Sequence, residues 1–499
     1  MSIRFGAFLI ASLIFTTSVL SQQLKRGDLR FEPFSLMTFD GQSHPAELGR
    51  LAVPENRRQS SNRLITIAFV RLKSTAQQPA APIVFLAGGP GIPGAVMARV
   101  PVYYDLFDQL RQVADVILLD QRGSGMSSPN LDDCPAQGQF PLDAFTTRQR
   151  LVNALAGATQ HCADYWLSRG VDLTAYNTEE SADDVDDLRQ ALGAGRVSLL
   201  GHSYGTELAL AMIRRHGGSV ERAVLSGTEG PGDHGTMPNV FDLQLKKIAR
   251  LVADDATMGR DVPDAAALFH QDLQKLQKQP SKITITRQST KTPVELAVGD
   301  EALRFVVEQM LADGRAIVSL PALLKSIGAG DYSLLEQRIG ALYNGFDGHS
   351  GLMGRTMNCS APTPPARLVQ TKSEAESSAF GDVIRVDMQP EICKAAVGDF
   401  VLDADYFAPL YSTVPTLFLS GSMDANCPPM KADRMRWGFP NSLHLVIDNG
   451  FHETLPAEKV QAVAVDFFRG RDVGERYISF APPHFLSVEE AKKAAGGRR

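Results

Sequence analysis

The stretch Val197-Ser198-Leu199-Leu200-Gly201-His202-Ser203-Tyr204-Gly205-Thr206-Glu207-Leu208-Ala209-Leu210-Ala211-Met212-Ile213 changes character at its centre. The short apolar run before Gly201 reads as a buried strand, and the pattern after Tyr204 reads as a helix. Between them stands Gly201-His202-Ser203-Tyr204-Gly205, which matches G-x-S-x-G. A strand that passes into a helix through one residue forces that residue into a strained backbone conformation. It also drives the Ser203 hydroxyl out at the sheet edge, at the positive end of the helix. The glycines are expected because strand and helix cross too closely to admit a Cβ.

Working outward, short apolar runs at 64–70, 83–87, 116–120, 197–200, 223–226, 416–420 and 444–447 alternate with amphipathic stretches at 147–168, 181–192 and 206–215. This alternation predicts an α/β fold, a mostly parallel sheet covered by helices on both faces. Ser181-Ala182-Asp183-Asp184 reads as a capping box and Gly193 as a helix stop. The alternation stops near 235 and resumes near 406. Residues 283–298 read as a β-hairpin, 301–311 and 333–343 as helices, and 359–378 as a Pro/Ser-rich loop. The division expected is a first core part at 22–235, an inserted, mainly helical cap at 236–405, a second core part at 406–475 and a C-terminal tail at 476–499. An insertion at that point sits over the edge to which Ser203 points.

The chain has 499 residues, 44% hydrophobic and 21% charged, with a net charge of −6. That is a globular composition with a large core. No long run of one charge points to a nucleic-acid partner. Arg4 precedes an apolar run, 5–20, that ends Val19-Leu20-Ser21. This is the pattern of a signal peptide over 1–21, and the run is short for a span of about 20 residues. Export to the periplasm or the medium is expected, with no further membrane contact, and it permits disulfides. Of five cysteines, proximity favours Cys134–Cys162 and Cys359–Cys393, leaving Cys427; the other reading is five buried thiols. None of the spacings resembles a zinc site, and no metal or organic cofactor is expected.

A serine needs a base to take its proton and an acid to orient that base, in chain order Ser, Asp or Glu, His. Asp424 follows the 416–420 strand and His452 follows the next one. Ser203, Asp424 and His452 are therefore the expected catalytic set, with Asp448, Asp433, Glu453 and His444 as rivals. His202 is expected to pack under the turn. The oxyanion of an acyl-transfer intermediate needs backbone N–H groups. Tyr204, the residue after the serine, is one. Gly89 in the loop Gly88-Gly89-Pro90-Gly91, after the 83–87 strand, is the other, with Gly88 next to it. Asp120 and Arg122 in Asp120-Gln121-Arg122-Gly123-Ser124-Gly125 are read as fixing loop geometry.

Together these motifs resemble the proline iminopeptidase and tripeptidyl aminopeptidase family of α/β-hydrolase serine peptidases. The resemblance rests on Gly88-Gly89-Pro90-Gly91, on Asp120-Gln121-Arg122-Gly123-Ser124-Gly125-Met126-Ser127, on 176–189 leading into the turn, on Gly201-His202-Ser203-Tyr204-Gly205-Thr206, and on the late Asp and His segments. It runs from about residue 60 to 470, loosely in the cap. It implies an exported serine exopeptidase that frees N-terminal residues or short pieces from peptides. The alternative is a carboxylesterase or amidase using the same residues. Departures fall at Ala87, at Asn426-Cys427-Pro428 and at Phe451, all lining the site. An aminopeptidase must hold a substrate ammonium, and Glu229 in Ser226-Gly227-Thr228-Glu229-Gly230-Pro231 is the candidate, with Glu301 or Asp331 of the cap as alternatives. The oligomeric state is left open.

Overall fold

The computed structural model describes residues 25–59, 63–135, 138–347, 351–382, 386–474 and 476–496; the export signal expected at 1–21 lies outside them. Among the described residues, eleven strands appear in chain order: β1 Leu29–Met37, β2 Ser43–Pro54, β3 Leu64–Leu72, β4 Ile83–Leu86, β5 Val116–Asp120, β6 Val197–His202, β7 Val220–Ser226, β8 Ser281–Arg287, β9 Thr292–Val298, β10 Thr416–Gly421 and β11 Ser442–Ile447. Nine of them form one sheet in the order β1-β2-β3-β5-β4-β6-β7-β10-β11. From β5 to β11 every pairing is parallel; the β1-β2-β3-β5 side is antiparallel. The strands β4, β5, β6 and β10 are buried along their whole length, which is why they read as unbroken apolar runs.

Two strands escaped the sequence reading. β1 is mostly exposed and β2 carries His44, Glu47 and Arg50 among its apolar residues, so neither shows an apolar run. The register explains the placement of the site. Leu86 pairs with Gly201, His202 with Ser226, and Ser226 with Leu419. The residues just past β4, β6, β7 and β10 therefore emerge side by side along one edge.

The turn after β6 is as tight as its glycines suggest. Ser203 has φ 54° and ψ −128°, and the helix Tyr204–His216 begins at the next residue. Such a conformation costs about 1–3 kcal/mol and persists only because its surroundings hold it. A Cβ on Gly205 would lie 1.8 Å from the carbonyl oxygen of Leu86. Backbone cannot yield there as a side chain can. Gly205→Ala is expected to destabilise the fold by at least about 3 kcal/mol, at or beyond the upper end of ordinary overpacking. A urea midpoint equal to wild type would refute this close crossing.

The insertion between β7 and β10 divides in two. Helices Pro238–Asp254, Ala265–Lys278, Asp300–Ala312, Leu320–Gly328 and Ser333–Phe346, with the hairpin β8-β9, enclose an apolar core around Phe241, Phe269, Leu303 and Leu335. That core also takes Phe140, Phe145 and Leu151 from the first core part, and Phe485 and Ala491 from the C-terminal segment. The segment read as a tail is thus packed, and it ends in the helix Val488–Gly496. Helices Leu352–Ser360 and Pro390–Val397 lie back on the α/β core, where Met353, Met357 and Ala396 share a cluster with Tyr176 and Leu208.

Two local readings are corrected. The loop expected at 359–378 contains the helix Pro365–Ala375, started by a proline at its first position. The helix expected to open at Ser181 opens earlier, at Thr178, because Asn177 caps it by accepting from the Glu180 N–H. Cys134–Cys162 and Cys359–Cys393 are disulfides, and Cys427 is free and buried.

Candidate active site

Ser203, Asp424 and His452 come from three different crossings of the sheet. Ser203 N–H donates to the Ser226 carbonyl (2.9 Å), which ties the turn to the end of β7. The next residue, Gly227, donates to the Leu419 carbonyl (2.9 Å) and so ties that end to β10. A Cβ on Gly227 would lie 3.0 Å from His452 Cε1, so the imidazole rests directly on this junction. His452 Nδ1 stands 2.8 Å from Asp424 Oδ2. Asp424 Oδ1 accepts from the N–H groups of Asn426 (2.8 Å) and Cys427 (2.9 Å). All the Asp424 hydrogen bonds favour the anion.

The electrostatics follow. Burial pushes the Asp424 carboxyl up, but His452 and the two N–H groups outweigh it, and the group is held below the ordinary carboxylate range. Burial pushes His452 down, but the charge of Asp424 and its hydrogen bond, helped by Glu453 and Glu229, leave it above the ordinary histidine range. With Nδ1 bound to Asp424, the proton-accepting nitrogen left to the ring is Nε2.

The loop after β4 closes on the serine. A Cβ on Gly88 would lie 2.8 Å from Ser203 Cβ. Gln121 Nε2 holds the loop by donating to the Ala87 carbonyl (3.1 Å). Asp120, with its carboxyl pushed up to about 6 by burial, accepts from the Ala95 and Met126 N–H groups. Arg122 is fully buried on Asp184 and on the carbonyls of Glu55 and Ala175. Gly88 therefore sits on a braced loop beside Ser203, with Gly89 next in the chain. The Tyr204 side chain is buried, its hydroxyl 2.9 Å from Thr178 Oγ1.

Of the rival residues, His444, Asp433 and Asp448 are engaged with other partners. His444 bonds Asp433 and Ser420, each at 3.0 Å, and Asp448 takes Ser422 and Ser479. His202 lies under the turn, its Nε2 2.9 Å from Glu453 Oε1. Tyr103 also bonds Glu453. Burial raises the Glu453 carboxyl, but the charge and hydrogen bond of His202, together with Tyr103 and His452, take it far below the ordinary range. The sequence weighed Glu453 only as a rival acid to Asp424; in the structure it is a half-exposed carboxylate beside His452. Its only local signal was its position next to the histidine.

Glu229 corrects an expectation. It adjoins the elbow, since Thr206 Oγ1 accepts from its N–H (2.8 Å) and donates to the Ser203 carbonyl (2.7 Å). Yet its side chain is buried, with Oε1 3.8 Å from both His234 Nδ1 and Lys431 Nζ. It does not stand open at the cap's entrance, because a buried carboxylate needs an internal counter-charge. The cap alternatives are also engaged, Glu301 with Arg148 and Asp331 with Lys492.

Among the described residues, two groups of ligand-type atoms lie within 4.8 Å of one another, Asp424/Cys427/His452 and Glu207/Glu229/His234. In the first, Asp424 is already saturated by three donors. In the second, the buried ammonium of Lys431 beside Glu229 supplies a cation. Burial, with Glu229 nearby, raises the Glu207 carboxyl well above the ordinary range, despite its bond from Tyr406.

Residues 81–302 match the family model described as alpha/beta hydrolase fold. The chain has the α/β-hydrolase fold. It is 25% identical over 296 residues to the YuaR protein of Escherichia coli (strain K12), covering 55% of this chain and 56% of that one. It is 26% identical over 192 residues to the serine protease Hip1 of Mycobacterium tuberculosis, covering 37% and 36%. It is 25% identical over 197 residues to a tripeptidyl aminopeptidase of Streptomyces coelicolor, covering 38% and 36%. The matches span about half or less of these relatives. A solved proline iminopeptidase of Mycobacterium smegmatis aligns at 14% identity and a TM-score of 0.39, over 84% of this chain and 98% of that one.

Proposed function

We propose that the chain is an exported serine hydrolase of the α/β-hydrolase fold, acting as an exopeptidase on peptides with a free N-terminus. Ser203 attacks the scissile carbonyl. His452 takes its proton and returns it to the leaving amine. Asp424 orients the ring and stabilises its charged form. The N–H groups of Tyr204 and Gly89 receive the oxyanion. The 2.8 Å contact between His452 and Asp424, set on the junction of β6, β7 and β10, carries the hydrolase reading.

Preference for a cationic substrate end is supported by charge. Besides Asp424, both Glu453 and Glu229 act on His452 with a negative potential. A substrate ammonium entering this field is favoured, and a blocked amine gains nothing from it. Glu229 acts at a distance here, partly balanced by Lys431, while Glu453 is the more accessible acid. Relatives named as a serine protease and a tripeptidyl aminopeptidase point the same way. Two formed disulfides support export.

Matched chromogenic amides test this reading: prolyl, alanyl and short tripeptidyl forms, each with its N-acetylated twin and a simple acyl ester. Cleavage of the free-amine forms, at least tenfold faster than of their twins, is the expected result. Ester cleavage with indifference to acetylation would replace the exopeptidase reading by a carboxylesterase.

A further inference from the structure

The first cap helix, Pro238–Asp254, and residues of the segment 422–430, Asp424 among them, line a cavity of about 560 Å³ whose lining includes neither Ser203 nor His452. Cavities of about 300–1,000 Å³ are the range in which drug-sized ligands bind. Its lining is ordered along the helix. Val240, Leu243, Lys247 and Arg250 are spaced three and four residues apart and share one face, which is apolar at its start and cationic further on. Lys246 adds a third cation at the rim. Pro428, Pro429 and Met430 form the opposite apolar wall. Leu243 is 55% exposed and Met430 51%, so large apolar surface is left open at the mouth.

The helix carries Lys246, Lys247 and Arg250 against Asp242 and Asp254, and all three cations but neither of those acids line the cavity, where, among the described residues, Asp424 is the one carboxylate. Lys247 Nζ donates to the Ser422 carbonyl (3.2 Å), whereas Lys246 and Arg250 have no carboxylate partner among the described residues. An apolar slot with a cationic end is complementary to a molecule with an apolar body and an anionic head. We infer that this cavity is a second binding site, separate from Ser203, for a single-chain anionic amphiphile such as a monomeric alkyl carboxylate. The chain would lie between Leu243 and Met430, with the carboxylate at Lys246 and Arg250. This inference does not depend on which bond Ser203 cleaves.

The test uses the full protein with Ser203 blocked by a fluorophosphonate, and dansyl-undecanoate as the probe. The expected result is a saturable, single-site rise in fluorescence, displaced by laurate. A neutral dansyl-undecyl alcohol is expected to bind at least tenfold more weakly. The double variant Lys246→Glu/Arg250→Glu is expected to weaken binding by tenfold or more, about 1.4 kcal/mol. Both positions are exposed and a wild-type melting temperature would show that the variant folds. Leu243→Asp, also exposed, is the second variant and is expected to abolish binding. Absence of saturable binding to the blocked protein would overturn the inference. So would equal affinity of the charge-reversed variant, or binding only to anionic phospholipid vesicles and not to the monomeric probe.

Discussion

Ser203→Ala is expected to lower kcat by about ten-thousand-fold to a million-fold, with the fold intact. The size follows from the role proposed for the group. Without the hydroxyl no acyl-enzyme can form, and the remaining machinery, the loop at Gly88-Gly89 and the N-terminus of the helix Tyr204–His216, can only polarise a carbonyl for attack by water. The fold should be unaffected because the strain belongs to the backbone. The φ of 54° at residue 203 is held by the crossing of β6 and the helix, and by the hydrogen bond of Ser203 N–H to Ser226. Initial rates on the best free-amine amide, labelling by a fluorophosphonate and a thermal melt check it together. Labelling should vanish, and the melting temperature should not fall. Activity within tenfold of wild type would remove Ser203 from the mechanism and reopen every assignment that rests on it.

Asp424→Asn is expected to cost about ten-thousand-fold in kcat. Asp424 Oδ1 takes two N–H groups, from Asn426 and Cys427, so an asparagine must turn its carbonyl oxygen to that side. Its NH2 then faces His452 Nδ1, and the ring must present a lone pair there. The proton moves to Nε2, the nitrogen needed to accept from Ser203. The pH profile distinguishes this from mere loosening. In the wild type His452 sits above the ordinary histidine range because Asp424 outweighs burial. Activity requires the neutral ring, so it should fall as pH drops through that raised value. In the variant burial prevails, and the acid limb should move to lower pH while the plateau collapses. An acid limb that stays in place, with a plateau near wild type, would show that Asp424 does not govern His452.

Much of this site could be read from the chain because its signals are local. The elbow is a change of pattern within a few residues, flanked by glycines that a 1.8 Å approach to Leu86 makes necessary. The buried parallel strands are continuous apolar runs, since both faces of the sheet are covered. Asp424 and His452 follow strand ends, and chain order in this fold does the rest. Proximity in the chain favoured the two cysteine pairs that form but left five thiols as the other reading. Strands β1 and β2 were not, because a largely exposed edge mixes polar and apolar residues and shows no run.

What only the tertiary structure decided is which charges meet. Glu229 looks from its sequence like an open loop acid, and it is buried because Lys431, from the far side of the cap insertion, reaches to 3.8 Å. Glu453 looks like an ordinary residue beside a histidine. It becomes a fixed carboxylate because Tyr103 and His202, from two other segments, converge on it. The packing of 351–407 on the core, and of the C-terminal helix with the cap, likewise joins residues far apart in the chain. Periodicity and turn chemistry act over a few residues and are written in the chain. Burial and charge pairing act across space, between segments whose meeting no local pattern records.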